Sequence, residues 1–308
     1  MIKFLLRRIG FEMPLSLLTI ITITFFLIRL APGGPFSAEK NVAPEVLKEL
    51  EKHYGLDKPL GVQYLRYLGQ AVRGNLGPSL KYPGRDVSDL IREAFPVSLE
   101  LGVYALLIAL VLGITAGVLA ASRAGTWCDY LVMSVSMAGI CIPSFVLGPL
   151  LVLVFGLLLG WLPVAGWSSP LDRILPSITL GLVYTAYIAR MMRGSMLEVL
   201  VQDFIKTARA KGLSEGTILF RHALRGALPP VVSFLGPAAA GLISGSFVIE
   251  TIFSIPGLGR YFVAAAFNRD YAMILGTVAF YAVVIMVFNM LVDILLVALD
   301  PRLRSRRA

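Results

Sequence analysis

The sequence predicts an all-α polytopic membrane protein with six transmembrane helices and a small helical insertion between the first two spans. Three observations lead there. Hydrophobic residues make up 57% of the chain and charged residues 15%, with a mean hydropathy of +0.78 over 308 residues, too apolar for a soluble domain. The apolar residues gather into runs long enough to cross roughly 30 Å of hydrocarbon at about 1.5 Å per helical residue. The basic residues behind the formal charge of +9 sit beside those runs and are not interleaved with exposed aromatics, which favours membrane topology over nucleic-acid binding.

The elements follow in order. Lys3, Arg7 and Arg8 precede an apolar run over 9–30, too long for a signal peptide and without a small-residue cleavage site, so 1–30 reads as a cytoplasmic terminus and first span. Glu12 and Pro14 lie near the start of that run, and Arg29 can reach the opposite headgroups. Over 31–96 the chain turns polar. Pro44 starts a short amphipathic helix with Val46, Leu47, Leu50 and Tyr54 on one face, stopped by Gly55. A second carries Tyr64, Leu65, Leu68 and Val72 up to Gly74, and Asp86 can cap a third through Leu90, Ile91 and Phe95. This insertion reads either as a surface for a partner or as a plug over the outer mouth.

Further apolar segments at 97–121, 130–159, 174–196, 228–253 and 271–299 complete six spans and a core at 97–299, with a basic tail at 300–308. Pro143, Pro149 and Pro237 are tolerated in such helices because neighbours and water satisfy the freed carbonyls. Gly113 with Gly117, and Gly241 with Gly245, have the spacing of close helix packing. Basic residues set the orientation. Lys3, Arg7, Arg8, Arg123, seven from Arg190 to Arg225, and Arg302, Arg304, Arg306 and Arg307 fall on one side, whereas Arg173, Arg260 and Arg269 lie in the short loops of the other. Both termini and the 197–227 loop are therefore expected in the cytoplasm.

Within that loop, 203–229 contains two helical patterns broken at a glycine. Phe204, Ile205, Ala208 and Gly212 fall on one face of the first, which Gly212 ends by its freedom to adopt positive φ. Ser214 can cap a second whose face is Ile218, Leu219, His222 and Ala223, with Arg221 and Arg225 on another side. Small residues at Ala208, Ala210 and Gly212 permit close approach by another protein, which suggests a docking element. From amphipathicity alone an ordinary basic loop is the alternative.

The segment resembles the cytoplasmic loop of ABC-importer permeases, whose pattern is Glu-Ala-Ala, three residues, Gly, nine residues, Ile-x-Leu-Pro. Ala208, Gly212 and Leu224 match, whereas Lys206 and Thr207 stand for Glu-Ala, His222 for Ile and Arg225 for Pro. TARAKGL followed by RHAL is instead typical of the dipeptide and oligopeptide branch. With MIKFLLRRI, RLAPGGPF, YGLDKPLGVQYLRYL, FPVSLELG, IPSFV, RGSMLEVL, FVIETIFSIPGLGRYFV and NRDY, the chain resembles the B-type permease subunits of oligopeptide importers almost end to end. That resemblance implies the type I ABC importer fold in a bacterial inner membrane, a homologous C-type permease partner, two cytoplasmic ATPase subunits that bind ATP and Mg, and an extracytoplasmic peptide-binding protein. It makes Asp203, Phe204, Ile205, Lys206, Thr207, Ala208, Arg209, Ala210, Lys211, Gly212 and Leu213 the ATPase-coupling residues. It also brings the loop with Pro256, Gly257, Leu258 and Gly259 near the receptor, where spacing alone shows only a turn.

No catalytic set is nominated. The sequence has no G-x-x-x-x-G-K-[ST], no HExxH and no nucleophile elbow, so ATP hydrolysis would fall to partners, and no cofactor or metal is expected in this chain. Cys128 and Cys141 have no metal-ligand company. Polar groups within or near spans include Glu12, Glu100, Glu250, Asn289 and Asp293. Asn289 and Asp293 share a helical face and, with Glu250, are candidates for a polar pathway, the alternative being structural hydrogen bonding. Neighbouring branches serve dipeptides, nickel complexes and glutathione. A proton-coupled carrier using Asn289 and Asp293 is the rival from another class.

Overall fold

The computed structural model describes residues 6–30, 34–36, 44–244 and 247–299, and among them the regular structure is helical with one isolated bridge, Pro78 to Asp86. A π-helical turn, Arg8–Glu12, leads into α1, Met13–Leu30. α2 is Pro44–Tyr54, α3 Leu60–Ala71, α4 Val87–Ser122 and α5 Trp127–Cys141. α6, Ser144–Leu151, continues as a π-helical stretch, Val152–Leu158. After a 3-10 turn, Pro170–Arg173, come α7, Ile174–Leu200, and α8, Asp203–Ala210. A single turn, Glu215–Thr217, and a π-helical segment, Ile218–Ala223, then feed α9, Leu224–Ser244. α10 is Phe247–Ile252, α11 Leu258–Asn268 and α12 Tyr271–Leu299. Among the described residues five helices are long and apolar enough to cross a membrane, or six when α5 and α6 count as one broken span.

The chain packs as two units, one built on Ser98–Pro256 with the chain from Val287, the other on Ile2–Val97 with Gly257–Met286. In the first, α7 is the central element and buries Leu175, Leu180, Ile188, Ala189, Met192 and Met196. α4 lies against it at bare backbone. A Cβ added at Gly117 would come within 2.6 Å of the Ala189 carbonyl oxygen, and one at Gly181 within 2.7 Å of the Ala105 carbonyl oxygen. Only hydrogen fits at either place, so Gly113 and Gly117 are packing devices and Gly181 answers them from the facing helix. Gly241 packs on the Tyr184 hydroxyl, and Gly245 lies outside the described residues.

In the second unit Ile21 and Phe25 of α1 pack on Tyr67 of α3 and on Leu275 and Ala279 of α12. Gly55 and Gly74 end α2 and α3 at φ +68° and +78°. Asp270 caps α12 by accepting from the Met273 amide at 3.0 Å, and its other oxygen accepts from the Ser79 hydroxyl at 2.5 Å.

Two expectations change. The short helix anticipated from Asp86 and the second span are one helix of 36 residues that runs through Pro96. Leu90, Ile91 and Ala94 before the proline, and Leu101 and Ala105 after it, are buried. The run at 130–159 is broken instead of continuous, bent by 105° between α5 and α6. Pro143 has no amide hydrogen and pushes the residue before it out of the helical region, and Ile142 is extended at φ −85°, ψ 115°.

Candidate coupling segment and polar interior

α8 starts from an extended Gln202 and is stiffened locally. The Thr207 hydroxyl donates to the Asp203 carbonyl oxygen at 2.9 Å, and the Lys206 ammonium meets the Asp203 carboxylate at 2.9 Å. It stops where the sequence says it should. Gly212 has φ +78°, its amide donates to Arg209 O at 2.9 Å, and the Leu213 amide donates to Ala208 O at 3.3 Å, the paired bonds of a Schellman end. Ser214 then caps the next turn by accepting from the Thr217 amide at 3.4 Å. Arg209 bridges the turn to Glu215, Nε to Oε1 at 2.8 Å. The hydrogen bond from Arg209 to that carboxylate, and then its charge, raise the Arg209 guanidinium above its ordinary pKa.

The faces differ from the sequence expectation at Phe204 and Gly212, which are exposed. Ile205 and Ala208 are buried in the chain's own core with Met192, Met196, Val199, Ile218 and Ala223. Phe204, read onto that face, is 46% exposed, because it lies about 100° around the helix from Ile205. Ala208 therefore offers no free surface to another protein, and its small size serves packing within this chain. The exposed side carries Phe204, Lys206, Thr207, Arg209, Ala210, Lys211, Gly212 and Leu213. In the next helical pattern Ile218 and Ala223 are buried, and Arg221 and Arg225 are exposed. A π-helical segment spans Ile218–Ala223, which brings side chains five apart onto one face.

The suggested pathway residues occupy two settings. Glu250 on α10 is fully buried and accepts from the Ser98 hydroxyl at 2.6 Å. Asn289 on α12 is half-buried and packs its amide oxygen where a side chain at Gly236 of α9 would sit. Asp293, also half-buried, follows one turn along α12. Of the four residues expected beside the receptor, Pro256 is exposed, as are the flanking Ser254 and Arg260, while Gly257, Leu258 and Gly259 are buried. Gly257 caps α11, so a helix runs from Leu258 to Asn268 immediately after the expected turn.

Sequence reading missed two ionic ties. Asp129 in the first turn of α5 is 1% exposed and receives both a 2.6 Å bond from Arg193 Nε and one of 2.6 Å from Arg193 Nη2, a forked pair joining α5 to α7. The Gly125 amide also donates to it at 3.0 Å. Glu100 of α4 accepts from Arg173 Nε at 2.6 Å and from the Trp167 indole at 3.2 Å. An acid opening an apolar run was the available signal for Asp129, but the sequence did not disclose its partner.

Comparison with known proteins agrees with this architecture. The description "Binding-protein-dependent transport system inner membrane component" matches residues 113–305, and the corresponding N-terminal description matches 1–101. The chain is 49% identical over 306 residues to the oligopeptide transport system permease protein OppB of Haemophilus influenzae, covering 99% of this chain and 100% of that protein. It is 44% identical over 307 residues to the dipeptide transport system permease protein DppB of Bacillus subtilis, covering 100% and 99%. Among solved structures, an inward-facing MetNI methionine ABC transporter chain superposes with a TM-score of 0.58 at 19% identity, over 68% of this chain and 96% of that one, a likeness of fold. Full-length identity at this level, on a bundle of apolar helices, places the chain in the family of binding-protein-dependent transport system inner membrane components.

Proposed function

We propose that this multi-pass permease is a transmembrane subunit of an ATP-driven importer of oligopeptides, coupled to its energy source through α8. The names of its full-length relatives support the peptide class. In this reading a homologous C-type permease completes the translocation pathway, two cytoplasmic ATPase subunits bind ATP and Mg beneath it, and a peptide-binding protein delivers cargo from the other side. The bias of basic residues beside the spans supports a reading in which both termini and α8 face the cytoplasm.

The observation that carries the coupling role is the construction of α8. A helix of only eight residues would not hold its shape in isolation. Here Ile205 and Ala208 root it in the same core as α7 and α9, while a row of exposed residues from Phe204 to Leu213 projects from it. A push on that exposed row reaches two long helices as a rigid displacement. Closure of the ATPase subunits would supply the push, and opening of the pathway would follow. Glu250, Asn289 and Asp293 are the proposed polar groups of that pathway, and Pro256 is the proposed exposed point beside the receptor.

The test separates gripping from folding. Phe204→Asp changes a partly exposed side chain outside the Ile205 and Ala208 core, so the protein should reach the membrane at wild-type levels with its melting temperature little changed. Peptide uptake, and peptide-dependent ATP hydrolysis by the assembled complex, should fall about ten-fold or more, as expected for removing a central aromatic contact. Uptake at the wild-type rate would reject α8 as the coupling element.

A further inference from the structure

The two helices of the insertion treat their outward sides differently. α2 shows Glu45, Lys48, Glu49 and Lys52, the charged face of a helix in water. α3 has a single charged residue, Arg66, and leaves Val62 47%, Leu65 68% and, at its C-terminal cap, Val72 88% exposed. At about 100° per residue these three form a stripe about 80° wide, with Gly69 inside it. A Cβ added at Gly69 would meet nothing within 4 Å, so the stripe is open along its length. Tyr64, Tyr67, Leu68 and Ala71 fill the adjoining arc and belong to the core made with α1 and α12. Gln63, Arg66 and Gln70 fill the remaining arc. A surface helix in water needs an apolar stripe of about 100° toward its core, whereas here apolar and small residues run round about 220°.

Contacts along α1 fix which way the surplus faces. Gln63, at the polar edge of the packed arc, accepts from Arg29 Nη2 at 3.0 Å, one residue before α1 ends. Tyr64, one step further round α3 toward the stripe, shares a 2.6 Å hydrogen bond with Thr22 and meets the Phe25 ring edge-on at 5.2 Å. Thr22 lies eight residues before Leu30, about 12 Å of helix. Turning from Gln63 through Tyr64 to the stripe therefore leads from the end of a membrane span toward its middle. Ile23, Phe26 and Leu27 of α1 are exposed over the same depth.

We propose that α3 lies in the membrane interface, with Val62, Leu65 and Val72 seated among the acyl chains of the leaflet at the Arg29 end of α1. Arg66 and Gln70, on the opposite side of the helix, then reach the headgroup layer. Interfacial helices of this kind sink their apolar face about 5–10 Å into the boundary between headgroups and acyl chains, which suits a helix whose Tyr64 reaches Thr22. The occupant of the stripe is a lipid surface, continuous with the one around α1.

The test reads depth directly. The full chain, carrying Cys128→Ser and Cys141→Ser, is spin-labelled at one position at a time through Leu65→Cys, Val72→Cys, Arg66→Cys or Lys48→Cys. It is then reconstituted in vesicles of phosphatidylethanolamine and phosphatidylglycerol. Relaxation by dissolved oxygen, which concentrates in hydrocarbon, is compared with relaxation by a water-soluble nickel chelate. The oxygen-to-nickel ratio at Leu65 and Val72 should exceed that at Arg66 and at Lys48 several-fold. Leu65→Trp gives a second reading with a milder change: its added fluorescence should be quenched by lipids brominated on the upper acyl chain and not by aqueous iodide. Relaxation dominated by the nickel chelate at Leu65 and Val72, or iodide quenching of Leu65→Trp, places the stripe in water and overturns the proposal. Weak relaxation by both agents places a protein surface on it, such as a second copy of this chain, and overturns the proposal equally.

Discussion

Arg173, just before α7, and Arg193, near its end, each meet a carboxylate from a neighbouring helix, and the two junctions are built differently. Arg173 spreads its contacts: Glu100 at 2.6 Å, the Ser169 carbonyl oxygen at 2.6 Å and the face of Trp167 at 4.9 Å. Its side chain and that of Glu100 stay 24% and 35% exposed. Arg193 instead commits two nitrogens to the two oxygens of Asp129, whose side chain is only 2% exposed. The two arginines are about 20 residues apart, roughly 30 Å of helix, which is the thickness of a hydrocarbon core. One helix is thus fastened near both its ends, by a diffuse tie at one and a forked tie on a buried carboxylate at the other. Water and side partners can replace a lost contact at the first junction. At the second, water reaches the Arg193 side but not the Asp129 carboxylate.

Breaking the junction on the buried carboxylate should have the largest effect. Asp129→Ala removes the acceptor of two Arg193 nitrogens and should lower stability by about 2 kcal/mol, the worth of hydrogen bonds to a charged group, since the Arg193 side chain keeps 30% of its surface and can be solvated. Chemical unfolding of the purified chain in detergent measures this, and Asp129→Ala combined with Arg193→Met should recover part of the loss. At the wetter junction, Arg173→Gln should give a clearly smaller decrease that shrinks further as salt is added. Equal losses from the two variants would remove the distinction between the junctions. The exposed Arg209–Glu215 pair sets the lower bound: Arg209→Ala should leave the unfolding midpoint unchanged within error, since solvent screens such a pair.

Much of this architecture was legible because it rests on short-range signals. Apolar runs marked the spans, Gly212 marked the end of α8, and Ser214 marked the start of the next turn. What escaped was set by contacts distant in sequence. Arg193 finds Asp129 across 64 residues, and nothing local to either predicts it. Pro96 reads as the boundary between the insertion and the second span and Pro143 as tolerated within a span, yet the helix runs through the first and breaks at the second. The difference lies in packing on both sides of Pro96, where buried Leu90, Ile91, Leu101 and Ala105 outweigh a lost hydrogen bond. The inward face of α8 was half legible: periodicity selected Ile205 and Ala208 correctly, but Phe204 sits at the border of that face, where only the three-dimensional path of the chain decides which way a ring turns.

The π-helical stretch at Ile218–Ala223, between the α8 turn and α9, holds more residues per turn than the helix it feeds. Loss of one residue there could be absorbed by reverting to ordinary winding, with Ala227 and Val231 still facing the core. The same loss within α7 would swing everything beyond it by about 100°. Chain length and side-chain direction are thus decoupled at this joint, which gives evolution a place to shorten or lengthen the link between the α8 turn and α9 without rethreading the bundle.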